Sequence, residues 1–191
     1  MGIAYTESLL RHTAETRESI EALYSFIVLE SWTAFECLAS DLWAAGVDHG
    51  PKEIVARINI AKAKIFEQPD DNIQPETLYE IGINARTHYG SFLKAVGKVS
   101  FQKLHKIKAY FEVAFGRDAA KLSDSTDDGY IYALAAFRNV LIHSAAKADK
   151  AFVRQAERFS AFRDIKQGDA IELDGEQVKR LSNSAIALGA D

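Results

Sequence analysis

From Thr6 to about Ala45 the chain contains neither proline nor glycine. A run this long without a breaker is expected to fold as one long helix, or as two joined at a kink. Ile20, Leu23, Ile27, Ala34, Phe35, Leu38 and Leu42 recur along it at the three-, four- and seven-residue spacing of one helical face. "GVDHGP", residues 46 to 51, then stops the helix with two glycines and a proline.

Further helices follow. "KEIVARINIAKAKIF" is a shorter one, "EQPDDNIQP" is a loop, and Glu76 to Lys98 is expected to form short helices between Gly82, Gly90 and Gly97. In "SFQKLHKIKAYFEVAFG" the residues Phe101, Leu104, Ile107, Phe111 and Phe115 keep helical spacing, with Ser100 as the expected cap and Gly116 as the stop. Ser125 or Thr126 is the expected cap of the next helix, which runs to His143. Asp149 is the expected cap of "KAFVRQAERFSAF". In "RDIKQGDAIELDG" the period changes: Ile165, Ile171 and Leu173 alternate around a "QGD" turn, which predicts a small β-hairpin. Glu176 to Leu188 returns to helix. The expected fold class is therefore all-α, a helical bundle with one small β-hairpin near the C-terminus.

At 191 residues, with 48% hydrophobic and 26% charged residues, the chain has the size and composition of one globular domain, 1–191. Cys37 is the only cysteine. This excludes an intrachain disulfide and fits a reducing compartment. The N-terminus lacks the basic head and apolar core of a signal peptide, and no uninterrupted apolar segment approaches about 18 residues, so a soluble, cytoplasmic protein without membrane contact is expected. The net charge of -4 is unevenly spread. Residues 1–48 hold eight acids against two bases, and residues 94–121 hold seven bases against two acids. A local basic surface of that kind can attract phosphates despite the net negative charge, or serve simply as a solvated face.

Several familiar sites fail on spacing. "DSTDDG" offers Asp124, Thr126, Asp128 and Gly129 at the offsets of a calcium loop, but its twelfth position is Ala135, where a bidentate glutamate is needed. "AVGKVS" lacks the first glycine of a phosphate loop, the residue there being Phe92, and Val99 follows Lys98 where a magnesium ligand belongs. The histidines, His12, His49, His88, His105 and His143, form no close pair at zinc spacing. No metal and no cofactor are expected.

The polar residues inside "YALAAFRNVLIHSAAKAD", residues 132 to 149, are a different matter. The surrounding residues read as an inner helix, and an unpaired guanidinium buried there is costly. Arg138 must then meet a carboxylate such as Glu36, a cavity, or a subunit interface. In the first case Arg138 and Glu36 form a structural ion pair and His143 is an ordinary helix-end histidine. In the second, one helix presents a fixed cation, an amide and an imidazole to one anion. At about 100° per residue, Asn139 and His143 share a face, and Arg138 lies roughly 140° from His143. Imidazole moves protons near neutral pH and guanidinium holds charge on phosphate oxygens, a combination suited to phosphate chemistry.

"RNVLIH", Arg138 to His143, resembles the Arg-(Asn/Asp/His)-x-x-x-His signature of HEPN domains, the nucleotide-binding helical domains of higher eukaryotes and prokaryotes. "FIVLESWTAFECLASDLW" is similar to the first long helix of the RiboL-PSP and MAE-type branches, and "DIKQGDAIELDGEQVKRL" resembles their terminal portion. Ser144 departs from the glycine that many relatives place there. The resemblance implies a HEPN-like helical fold and a metal-independent endoribonuclease of toxin or antiphage-defence type. It would act as a homodimer with a composite site, in some cases restrained by an antitoxin or regulatory partner. It assigns His143 as general base or acid, Arg138 as phosphate clamp and Asn139 as an orienting group. Attack by a ribose 2′-hydroxyl would leave a 2′,3′-cyclic phosphate and a 5′-hydroxyl.

Lys147, Lys150, Arg154 and Arg158 follow the motif, the last three repeating every four residues. They form either a track for an RNA backbone or a solvated outer face partly neutralised by Glu157. Glu36 is a candidate auxiliary residue. A HEPN-like module that binds RNA, nucleotide or protein without cleaving remains the alternative.

Overall fold

The computed structural model describes residues 14–65, 82, 84, 87–121, 129–144, 146–157, 159 and 162–187. They form an all-α protein: α1 (Ala14–His49), α2 (Lys52–Ile65), α3 (Tyr89–Ala95), α4 (Leu104–Phe115), α5 (Arg117–Lys121), α6 (Tyr130–His143), α7 (Lys150–Ala156) and α8 (Gly175–Ala187). Two compact units emerge, Met1–Phe35 with Ser125–Asp191, and Glu36–Asp124. α1 contributes to both.

The expected long helix forms without a break through the described part of the run, but its buried face matches the predicted one only in part, at Phe35. Val28, Trp32, Phe35, Ala39, Trp43 and Val47 are buried, at spacings of three and four, while Leu23 and Leu42 are more than half exposed. By length and composition α1 is also apolar enough to cross a bilayer. Its apolar residues surround the helix axis, so periodicity alone fits more than one face. The two tryptophans, which carry the largest apolar area, lie on the buried one.

In the unit holding Glu36–Asp124, Trp43 donates its indole N–H to the Tyr110 carbonyl (3.0 Å) and packs with Phe101 and Tyr110. Asp48, near the end of α1, caps α3: its carboxylate accepts from the Gly90 N–H (2.6 Å) and the Ser91 hydroxyl (2.5 Å). Gly90 permits that approach, since a Cβ there would sit 2.6 Å from the Ala44 carbonyl oxygen. Arg57 of α2 satisfies the far end of α4 by donating to the Ala114 carbonyl (2.7 Å). Helix α4 starts at Leu104 with Lys103 at its cap position, not at Ser100. The Ser100 N–H is instead held by the Tyr110 hydroxyl at 3.2 Å.

The other unit is built on an aromatic cluster. Phe137 of α6 meets Phe152 of α7 and Phe162 edge-on, with centroids 5.0 and 4.8 Å apart, and Tyr130 meets Phe159 at 5.6 Å. Leu173, Val178, Leu181 and Ala185 bring α8 into this core. Arg180 of α8 donates to the Tyr130 hydroxyl and to Glu176, and these contacts, Tyr130 first, raise the guanidinium above its ordinary pKa. Ser31 of α1 donates to Ser182 (3.0 Å) or to the Ile27 carbonyl (2.7 Å), and Arg17 pairs with Glu172 (2.5 Å).

The predicted hairpin does not form. The "QGD" turn is present, with Gly168 at φ +92° and Asp169 closing it by accepting from the Lys166 N–H (2.8 Å). The bonds that a hairpin would make internally go elsewhere. Ala148 N–H donates to the Asp169 carbonyl (2.9 Å), Gly168 N–H to the Ala148 carbonyl (2.8 Å) and Ile171 N–H to the Ala146 carbonyl (2.9 Å). The result is a single antiparallel bridge between Lys147 and Ala170.

Candidate active site

Helix α6 explains the polar residues in its apolar sequence. It is not an inner helix on all sides. Leu134, Ala136, Phe137 and Val140 are buried, whereas Asn139, Ile142 and His143 are exposed and Tyr132, Ala135 and Arg138 are half-buried. At about 100° per residue these last six fall within roughly 140° of the helix circumference. Phe137 and Asn139 lie about 160° apart on the same wheel, so seating the Phe137 ring between Phe152 and Phe162 turns Asn139 to solvent. The core thereby sets the rotation of the motif.

The Arg138 guanidinium donates from Nη1 to Asn139 Oδ1 at 3.1 Å. Within its own unit no carboxylate among the described residues pairs with it. Half-exposure removes the desolvation cost that made a carboxylate partner necessary. Arg138 and Asn139 therefore form one joint unit of donors, with the amide oxygen held by the guanidinium and the amide NH2 left outward. His143 is the last residue of α6, and its imidazole makes no hydrogen bond among the described residues of its unit. Glu36 is half-buried on α1 and belongs to the other unit.

The turn after His143 is tightly determined. Ser144 closes α6 with its N–H on the Val140 carbonyl (2.9 Å), and Ala146 takes a left-handed φ of 60°. Asp149 is the N-cap of α7 as expected, accepting from the Phe152 N–H at 2.7 Å, and its second oxygen accepts from the Ser144 hydroxyl at 3.5 Å. One carboxylate thus touches the end of α6 and the start of α7. Lys147, Lys150 and Arg154 are exposed and have no ion-pair partner among the described residues of their unit. Helix α7 ends at Ala156, and Arg158 lies outside the described residues. The Lys147–Ala170 bridge, which ties the basic turn to a distant segment, is the part of this region that the sequence did not reveal.

Among the described residues no three His, Cys, Asp or Glu side chains are grouped to hold a metal ion. The class that fold and site define is an all-α protein with a one-sided helix bearing an arginine–asparagine pair and an exposed histidine. No family model matches the chain, and no curated protein or solved structure matches it significantly.

Proposed function

We propose that this chain is a HEPN-like endoribonuclease of the cytoplasm, acting as a homodimer in a toxin or antiphage-defence role under the restraint of a partner protein. The observation that carries the reading is the solvent arc of α6: Arg138 bonded to Asn139, with His143 exposed at the helix end and the exposed cations Lys147, Lys150 and Arg154 following it. The RNA phosphate sits on the Arg138 guanidinium and the outward amide of Asn139. His143 takes the proton from a ribose 2′-hydroxyl, the 2′-oxygen bonds to phosphorus, and the bond to the 5′-oxygen breaks. Arg138 stabilises the charge that gathers on the phosphoryl oxygens. Lys147, Lys150, Arg154 and Arg158 track the flanking backbone.

In-line displacement puts the entering and leaving oxygens on opposite sides of phosphorus. One imidazole cannot serve both positions at once, so the proton for the departing 5′-oxygen comes from the His143 of a second copy. This is the chemical reason for a composite site. Glu36 acts at most as an auxiliary group.

A second reading is favoured by one observation. A general base is usually oriented by a further group, and His143 makes no such hydrogen bond among the described residues of its unit. In that reading the module binds RNA or a protein and cleaves nothing. Incubating purified protein with RNA in the presence of a chelator, beside His143→Ala, separates the two. Cleavage that survives chelation, leaves a 2′,3′-cyclic phosphate and is abolished in the folded variant supports the enzyme. RNA left intact by the wild-type protein under all conditions supports the binding module.

A further inference from the structure

Among the large aliphatic residues of α6, Ile142 stands apart. Ile131, Leu134 and Val140 are at most 1% exposed and Leu141 is half-buried, whereas Ile142 is 49% exposed. It lies on the solvent arc one turn beyond Arg138 and next to His143. Its Cβ is therefore about 6 Å from that of Arg138. Three cations, Arg138, Lys147 and Lys150, lie at or just after the same helix end, and none has an ion-pair partner among the described residues of its unit. An occupant of this surface has to offer an apolar face and negative charge together, which a nucleotide does.

We infer that Ile142 is a specificity residue of the proposed site, seating the flat face of the nucleobase on the nucleotide that supplies the attacking 2′-hydroxyl, and that the enzyme prefers a purine there. This rests on the ribonuclease reading. The 2′-carbon is bonded directly to the carbon that carries the base. A nucleotide whose 2′-hydroxyl faces His143, with its phosphate on Arg138, therefore presents its base to the stretch between them, where Asn139 and Ile142 lie both on the arc and along the axis. Asn139 is bonded to Arg138, which leaves Ile142 as the apolar surface for the base. An aliphatic side chain has no donor or acceptor with which to read a base edge, so it discriminates by contact area, and two fused rings cover more of it than one.

The test uses single-stranded oligonucleotides in which one ribonucleotide in a deoxyribonucleotide chain provides the only cleavable linkage, its base being A, G, C or U. Wild-type protein is expected to cleave after A and G with kcat/KM about three- to tenfold above that after C and U. Ile142→Ser is expected to lose that ratio, mainly through KM for the purine substrates, and Ile142→Val to retain most of it. The side chain is exposed, so thermal midpoints should coincide. A purine preference that persists in Ile142→Ser, or is missing from the wild type, overturns the inference while the ribonuclease reading stands. A dimeric wild type with a monomeric Ile142→Ser also overturns it, making the residue a contact between copies. No cleavage of any substrate or of natural RNA by the wild type defeats the ribonuclease reading itself, and the inference with it.

Discussion

The rings of Phe137 and Phe162 stand 4.8 Å apart at 70° to one another, and this edge-on contact, repeated with Phe152 at 5.0 Å, holds α6 at a fixed rotation. Phe137→Ala removes the ring from both contacts and leaves a cavity in the core. The expected cost is about 3–5 kcal/mol, read as a lower urea midpoint. Phe137→Leu should lose clearly less. On the proposed ribonuclease function, RNA cleavage should fall with the folded fraction.

Arg138, with no carboxylate partner among the described residues of its unit, makes a different forecast. Truncating one member of a buried ion pair costs about 3–5 kcal/mol, because the other charge is stranded. Here Arg138→Ala removes a bond to the Asn139 amide, a group that water can then reach, so the expected loss is about 1 kcal/mol or less. Chemical denaturation decides, and a loss of several kcal/mol would restore the ion-pair reading. If the proposed ribonuclease function holds, cleavage of RNA by the folded variant should be abolished or severely reduced.

How legible this was in the sequence differs from residue to residue. The helical class followed from the scarcity of breakers, and Asp149 and Gly116 were recognisable by local chemistry, since a cap or a stop depends on neighbours a few positions away. The buried face of α1 was not recognisable, because Leu23 and Leu42 fit the same period as Trp32 and Phe35 and only tertiary packing chooses between them. Alternation around "QGD" correctly marked a turn but could not name its partner, which is Ala146 to Ala148, some twenty residues earlier. Arg138 looked buried because its neighbours are apolar. The helix is in fact one-sided, and its solvent arc is narrow enough to hide in a sequence where small alanines separate the large residues.

Asp149 accepts from the Phe152 N–H at 2.7 Å, so Asp149→Ala uncaps α7. The expected cost is about 1 kcal/mol, measured by thermal or urea denaturation. Asp149→Ser should recover most of it, since a serine hydroxyl caps the same N–H.

Ala146 carries a side chain at a left-handed φ of 60°. Relief of that conformation outweighs the extra freedom glycine gives the unfolded chain, so Ala146→Gly is expected to stabilise the protein by about 0.5–1 kcal/mol. A small upward shift in the urea midpoint would show it.

Lys150 and Arg154, exposed and without an ion-pair partner among the described residues of their unit, should act on the proposed RNA affinity through counterion release. Replacing either by alanine is expected to lower the slope of log affinity against log salt by about 0.7 for single-stranded RNA. The readout is a binding titration across salt concentrations, with the His143→Ala background preventing cleavage.

The bonds joining residues 146–148 to 168–171 use main-chain atoms alone. Their geometry is therefore largely indifferent to the side chains at Lys147 and Ala170, whose replacement leaves every donor and acceptor in place, proline excepted. The chain thus separates what must be inherited from what is free to drift. The path of the turn behind His143 is encoded by backbone, Gly168 and the caps, while the chemistry displayed on it can be rewritten one residue at a time. A lineage under pressure to meet a new target could change that surface repeatedly without rebuilding the scaffold beneath it.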